Sequence, residues 1–277
     1  VYTAAENAAY SALEVAVFDL VGRLRGLPVH VLLGGAMREQ VRADFWIGHQ
    51  TPEDGRRSVE WALARGFTGV KIKCRAEEPL YARLAAMREV AGPGFKVTVD
   101  PNERFYTAEK TIALAEELEP LGNVEVFEDP IPKGDLDGYQ QIHAAIPFPL
   151  AMHVVDGAAA LRGIRAGVVD CLNFGGSLVG FQRNAAVAAA AGLPCWHGSG
   201  NDLGILDTAY IHAAAAAPNC TLASDFVGSW TRADDLIQQP IHFAGGYTPT
   251  PMAPGLGCEL DMTALARYAT AYTQMQA

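Results

Sequence analysis

The sequence predicts a closed parallel α/β barrel. Three observations carry that expectation: the chain length, an alternation of short β-rich runs with alanine-rich helical runs, and a repeat of one βα unit every 25 to 28 residues. At 277 residues, 50 % of them hydrophobic and 28 of them glycine, the chain can bury a large core and has the size of one barrel. An open doubly wound sheet is the alternative. It is disfavoured because no glycine-rich dinucleotide fingerprint follows the first strand.

The elements follow in order. "YSALEVAVFDLVGRLR" (10–25) places Leu13, Ala16, Val17 and Leu20 at helical spacing, and Gly26 and Pro28 end the run. A linking helix region is therefore expected over 8–35, ahead of a single barrel domain in 1–277. Strands are expected at 41–48, 69–73, 96–100, 124–128, 148–153, 170–174 and 193–197. Helices are expected between them, at 52–65, 78–91, 107–118, 156–166, 179–191 and 205–217. In a barrel the carboxyl ends of the strands meet at one mouth, and polar residues stand there: Lys73, Asp100, Glu128, His153 and His197.

Composition narrows the function classes. A net charge of -10 and a pI near 5.1 argue against a nucleic-acid partner, which needs a basic face. No apolar run of about 18 residues suggests a membrane span, and no secretory start is visible. Five dispersed cysteines (Cys74, Cys171, Cys195, Cys220, Cys258) without a C-x-x-C pair fit neither a disulfide framework nor a zinc knuckle. A reducing cytoplasm is the expected location, with a small-molecule partner and a homo-oligomeric state.

In "GVKIK" strand alternation sends Val70 and Ile72 to one face and Lys71 and Lys73 to the other. An ammonium desolvated at a barrel mouth beside a second ammonium is pushed toward its neutral form, the form a base needs. Asp100 in "VTVDPN" and Glu128 in "VFEDP" close successive strands, so their carboxylates approach each other. Unpaired, one would be forced to hold a proton, whereas a hard divalent cation such as Mg²⁺ removes the repulsion.

Together "KIK", "VTVDPN", "FEDP" and "PGLGCELD", with the opening "ALEVAVFDLVGRLRGLPVHVLLGG", resemble the barrel domain of the enolase superfamily, on its mandelate racemase and muconate lactonizing enzyme side. The resemblance spans nearly the whole chain and implies a modified TIM barrel, (β/α)7β. It implies a Mg²⁺ that grips a substrate carboxylate, and a lysine or histidine base that removes the α-proton, the arrangement general to this superfamily. Lys73 then matches the base and Lys71 its partner. Asp100 and Glu128 match the first two metal ligands, and Asn102 a polar position beside the first. Members of the family also carry an N-terminal capping domain of about a hundred residues, which is not expected within residues 1–277.

Two positions depart from the family pattern. Its third metal ligand is an acid or amide, and here "PLAMHVVD" offers His153, whose imidazole suits Mn²⁺ better than Mg²⁺; His153 is expected either to ligate the metal or to meet substrate. Its sixth strand ends in lysine, and here "LNFGGS" offers Gly175. His197 in "PCWHGSGNDLGI" is the candidate acid or second base, and Asp202 takes the carboxylate position of that motif. His49 in "FWIGHQTPED" is expected to line the mouth beside substrate. "SDFVGSW" (224–230) and "PTPMAPGLGCELD" (249–261) resemble the late barrel loop and terminal segment and are assigned no chemistry.

With one lysine base plus a histidine, and no side chain at Gly175, the expected activity leans toward dehydration of a sugar acid. A racemase, epimerase or cycloisomerase of the same superfamily is the alternative. A non-catalytic barrel that binds a ligand is a further one, motivated by His153 and Gly175. An NAD-dependent oxidoreductase lacks its G-x-G-x-x-G, and a Schiff-base aldolase has no need of Asp100 and Glu128.

Overall fold

The computed structural model describes residues 4–200, 202–226 and 228–276. A linking helix α1 (Ala4–Arg25) and a single turn α2 (Val29–Leu32) lead into β1 (Gln40–Arg42) and β2 (Phe45–Ile47). The βα series follows: α3 (Pro52–Ala64), β3 (Gly69–Lys73), α4 (Leu80–Ala91), β4 (Lys96–Asp100), α5 (Ala108–Leu118), β5 (Val124–Glu128), α6 (Leu136–Ala145), β6 (Leu150–Val154), α7 (Gly157–Ala166), β7 (Cys171–Phe174), α8 (Leu178–Ala190), β8 (Cys195–His197) and α9 (Gly204–Ala216). A short β9 (Tyr247–Pro249) pairs antiparallel with β1, and α10 (Met262–Gln276) ends the described chain.

Strands β2 to β8 form one parallel sheet in sequence order. Its two edges are joined by the segment 219–225. Cys195 N–H donates to Asn219 O and Leu222 N–H to Cys195 O on one side, while Ser224 N–H donates to Arg42 O and Asp44 N–H to Ser224 O on the other. Single-residue bridges Cys195 to Cys220 and Ala43 to Ser224 mark the two seams. The sheet is thereby closed into the expected (β/α)7β barrel, with an eighth strand reduced to a seam.

Period-two alternation separates two layers. Val70, Ile72, Val97, Val99, Phe127, Leu172 and Phe174 point outward into the large core shared with the helices. Val126, Ala151, Cys171 and Trp196 point inward and form the small interior cluster, with Leu222 of the seam against them. Five of the helices, α3 and α5 to α8, start where the sequence supplies a cap: Thr51, Thr107, Asp135, Asp156 and Ser177 each accept a backbone N–H three residues on, each worth about 1 kcal/mol. These caps fix the βα loops that rim the mouth.

Three of the expected strands, 69–73, 96–100 and 124–128, have the observed bounds, whereas 41–48 is divided into β1 and β2 at Ala43 and Asp44. Helix α6, the seam and the β1–β9 pair were not foreseen from the sequence. Asp44, at that division, is buried, and neither carboxyl oxygen has a hydrogen-bond partner.

Burial, with Glu125 adding to it, pushes the Asp44 carboxyl up to about 8. Between pH 4 and 8 the unfolded chain has shed this proton while the folded chain keeps it, so stability falls as pH rises. Asp44→Asn removes this component. Denaturant titrations at pH 5 and 7 should show the parent losing about 1 kcal/mol more per pH unit than the variant; equal slopes would exclude a protonated Asp44.

Candidate active site

The mouth of the barrel holds a cavity of about 180 Å³ lined by Trp46, Lys71, Lys73, Asn102, His153, Asn173, Ser199, Gly200 and Asp225. Strands β2, β3, β6 and β7 reach it with inward-facing residues. On β3 these are Lys71 and Lys73, with the Lys73 carbonyl accepting from buried Arg83 at 2.9 Å and Arg83 also donating to Gly48 O at 2.7 Å. The guanidinium thus clamps the ends of β2 and β3 together beneath the lysines.

Lys71 is 3 % exposed and lies among three carboxylates: Glu128 Oε2 at 2.8 Å, Asp225 Oδ2 at 3.0 Å and Asp100 Oδ2 at 3.2 Å. Its Nζ also sits 5.9 Å from the centre of the Trp196 ring. Burial works against the charge on Lys71, but the facing carboxylates of Asp225, Glu128 and Asp100 outweigh it and hold its pKa well above the usual lysine range. Lys73 ion-pairs with Asp100 Oδ2 and remains 21 % exposed, the more accessible of the two ammonium groups.

The carboxylates are held from behind. Asp100 Oδ1 accepts the Asn102 N–H at 2.9 Å, and Glu128 Oε1 accepts from Asn173 Nδ2 at 2.8 Å. Asn173 is itself wedged by a close approach at Gly198, where an added Cβ would stand 2.4 Å from its Oδ1. Burial raises the pKa of Asp100, but Lys71 and Lys73 overcome it, and the net shift is downward.

After β4 and β5 the chain turns through left-handed residues, Asn102 (φ 47°), Glu103 (φ 69°) and Asp129 (φ 45°). Such backbone is costly for residues other than glycine and collects at functional rims. The turn at Asp129 lets its carboxylate accept the His153 N–H at 2.9 Å and pair with Lys133 at 2.6 Å. Burial, with Glu128 beside it, pushes Asp129 up to about 7.

His153 projects into the mouth, as expected. Burial lowers its pKa, favouring the neutral imidazole. Glu128, Asp129 and His153 each offer a ligand atom, all within 4.8 Å of one another. The His153 Nε2 also lies 3.6 Å from the point where a Cβ on Gly175 would be, so the ring occupies the space that glycine leaves.

Four of the expected placements need correction. His197 is not at the mouth. In the three-residue strand β8 the inward position goes to Trp196, so His197 faces the helices, stacked between Phe181 (4.4 Å) and Tyr210 (4.1 Å) with Nδ1 at 2.7 Å from Gly198 O. Burial lowers it to about 3, leaving a neutral packing residue. Asp202 sits outside the mouth cavity, its carboxylate accepting the Gly200 N–H at 2.8 Å. His49 is exposed and paired with Glu78 at 2.5 Å, also outside that cavity. Asp225, in the stretch assigned no chemistry, is a wall of the site, accepting from Trp196 Nε1 at 3.1 Å as well as from Lys71.

Comparison with known proteins places these features in context. The family model described as "Enolase C-terminal domain-like" matches residues 54–264. Muconate cycloisomerase 1 of Rhodococcus opacus is 30 % identical over 93 % of this chain and 71 % of its own length. A probable glucarate dehydratase of Streptomyces coelicolor is 28 % identical over 92 % of this chain and 64 % of its own. The solved structure of the L-Ala-D/L-Glu epimerase from Bacillus subtilis superposes with a TM-score of 0.81 at 26 % identity, covering 90 % of this chain and 71 % of the other.

Proposed function

Since the chain belongs to the enolase C-terminal domain-like family, we propose that it abstracts the α-proton of a small carboxylate with the aid of a divalent cation, and that the reaction is dehydration of a sugar acid. The observation that carries the finer reading is the one-sided placement of proton-transfer groups. Lys73 faces the cavity from β3, Gly175 presents no side chain, and His197 is outside the barrel.

The donor set fits the cation. Asp100 Oδ2 and Glu128 Oε2 already converge on one positive charge at 3.2 and 2.8 Å, while their other oxygens are taken by Asn102 and Asn173. The His153 ring lies within the same reach of Glu128. These three residues would hold Mg²⁺, or Mn²⁺ given the imidazole. Bound there, the cation supplies charge to draw in the substrate carboxylate and to offset the negative charge it gains as the Cα–H bond breaks.

The protein's own residues do the rest. Lys71, kept cationic by its carboxylates, adds positive charge to the site. Lys73 Nζ, in its neutral amine form, takes the α-proton, and the electron pair of the broken bond passes into the carboxylate. The ammonium so formed stands on the face it took the proton from. It returns that proton to a β-hydroxyl, which departs as water, leaving an enol that becomes the 2-keto acid. A single acid–base group serves both halves of such an elimination.

A second reading has one observation behind it: His153 Nε2 occupies the space at Gly175, and as a base there it would make the protein an epimerase like its Bacillus subtilis relative. The experiment that decides is incubation with glucarate and related sugar acids in D₂O, following 2-keto acid and α-deuterium, alongside a His153→Gln variant. Dehydration predicts 2-keto acid from the parent, and Mn²⁺ binding weakened about tenfold or more in the variant. Intact Mn²⁺ affinity with loss of inversion alone would establish the epimerase, and no exchange with any acid would leave a binding barrel.

A further inference from the structure

The oxygens through which Asp100 and Glu128 could reach a cation are Oδ2 and Oε2, and both are already engaged by Lys71 Nζ. The opposite oxygens are committed to Asn102 N–H and Asn173 Nδ2. Lys73 also meets Asp100 Oδ2, but only Lys71 Nζ stands between Oδ2 and Oε2, so a divalent cation bridging this pair would compete with that ammonium for its position. Lys71 has somewhere to go: Asp225 Oδ2 lies 3.0 Å from the same Nζ, on the other side of the barrel from β5, and is fixed from behind by Trp196 Nε1.

We propose that Lys71 is a tethered competitor for the cation, and that Asp225 is the acceptor that retains the lysine once the cation is in, so that exchange between the two cations sets the affinity of the site. This rests on the divalent-cation reading above and goes beyond it, because it assigns a role to Asp225 and makes Lys71 an opponent of the metal as well as a neighbour of the base. The physical ground is charge balance. Lys71, Asp100, Glu128 and Asp225 are all buried, and the three carboxylates against the ammonium groups of Lys71 and Lys73 leave one negative charge in excess, which a divalent ion can offset. In the free protein the ammonium is shared three ways. With the ion bound to Asp100 and Glu128, the shared arrangement resolves into two pairs, the ion with its ligands and Lys71 with Asp225. Asp225 acts here through Lys71 and is a positioning residue.

The test uses Mn²⁺ alone, titrated calorimetrically into the parent, Lys71→Met, Asp225→Asn and the double variant, with circular dichroism as the check on folding. Lys71→Met is expected to bind Mn²⁺ at least tenfold more tightly than the parent, and Asp225→Asn about tenfold less tightly, because the ammonium then leans wholly on the metal ligands. In the Lys71→Met background the Asp225→Asn change should lose most of its effect, since the residue it retains is gone. Should Lys71→Met fail to fold, Lys71→Gln takes its place with the same expectations.

A parent that binds Mn²⁺ while the Lys71 variants bind no more tightly would overturn the competition. Equal losses from Asp225→Asn in both backgrounds would overturn the role of Asp225, because the carboxylate would then act on the ion directly. A parent that binds no Mn²⁺ would instead overturn the divalent-cation reading itself, so the two failures are told apart by the first titration.

Discussion

Lys73→Ala is expected to slow deuterium exchange at the α-carbon of any accepted acid by about 10²–10⁴, the usual worth of a positioned general base. The lysine is singled out by geometry. Of the two ammonium groups on β3, Lys71 is sealed among three carboxylates, whereas Lys73 is partly open to the cavity and has one acid partner. Arg83 fixes the Lys73 carbonyl from beneath, so loss of the side chain should leave the rim in place, and Mn²⁺ binding should be retained. Exchange at the parental rate in the variant would remove Lys73 from the reaction and move the search for a base to His153.

The second large effect concerns Glu128. Its replacement by glutamine keeps an oxygen to accept from Asn173 but deletes a buried negative charge next to the proposed ion. Opposite charges about 4 Å apart attract by about 4 kcal/mol at an effective dielectric of 20, so Glu128→Gln should weaken Mn²⁺ binding on the order of 10³-fold. Lys71 keeps two of its three carboxylates, so the fold should survive, and circular dichroism together with calorimetry checks both points. Unchanged affinity would mean that the ion, if one binds, is held elsewhere.

Much of this site was legible in the residues alone, and the reason is the pattern of three strands. "GVKIK" and "KVTVD" have apolar outward residues and an inward residue that ends the strand with a charge, and "VEVFE" ends the same way after an irregularity at Glu125. Alternation then fixes which side chains meet at the mouth. His197 was misplaced because β8 has only three residues, with Trp196 between Cys195 and His197; such a stretch does not state its own phase. The bulky Trp196 filling the inward layer beside Val126, Ala151 and Cys171 decides it. Asp225 was missed for a different reason. Its segment, "TLASDF", has no apolar run and pairs with its neighbours through isolated bridges, so nothing in its periodicity marks a strand. A barrel with seven readable strands nevertheless needs an eighth, and the acid standing where that strand ends was the available clue.

The narrow seam has a consequence for how the molecule can open. A zipper fastened at few points parts more readily than the ladders on either side, and this one runs between Arg42 and Cys195 with Asp225 at its upper end. A partial unlatching there, well short of global unfolding, would pull Asp225 and Trp196 away from Lys71 while the tines carrying Lys73, Asp100 and Glu128 kept their mutual register. Loss of chemistry on warming should then precede loss of helical signal, and an ion that rearranges the charges at the rim would act as a clasp for the whole cylinder.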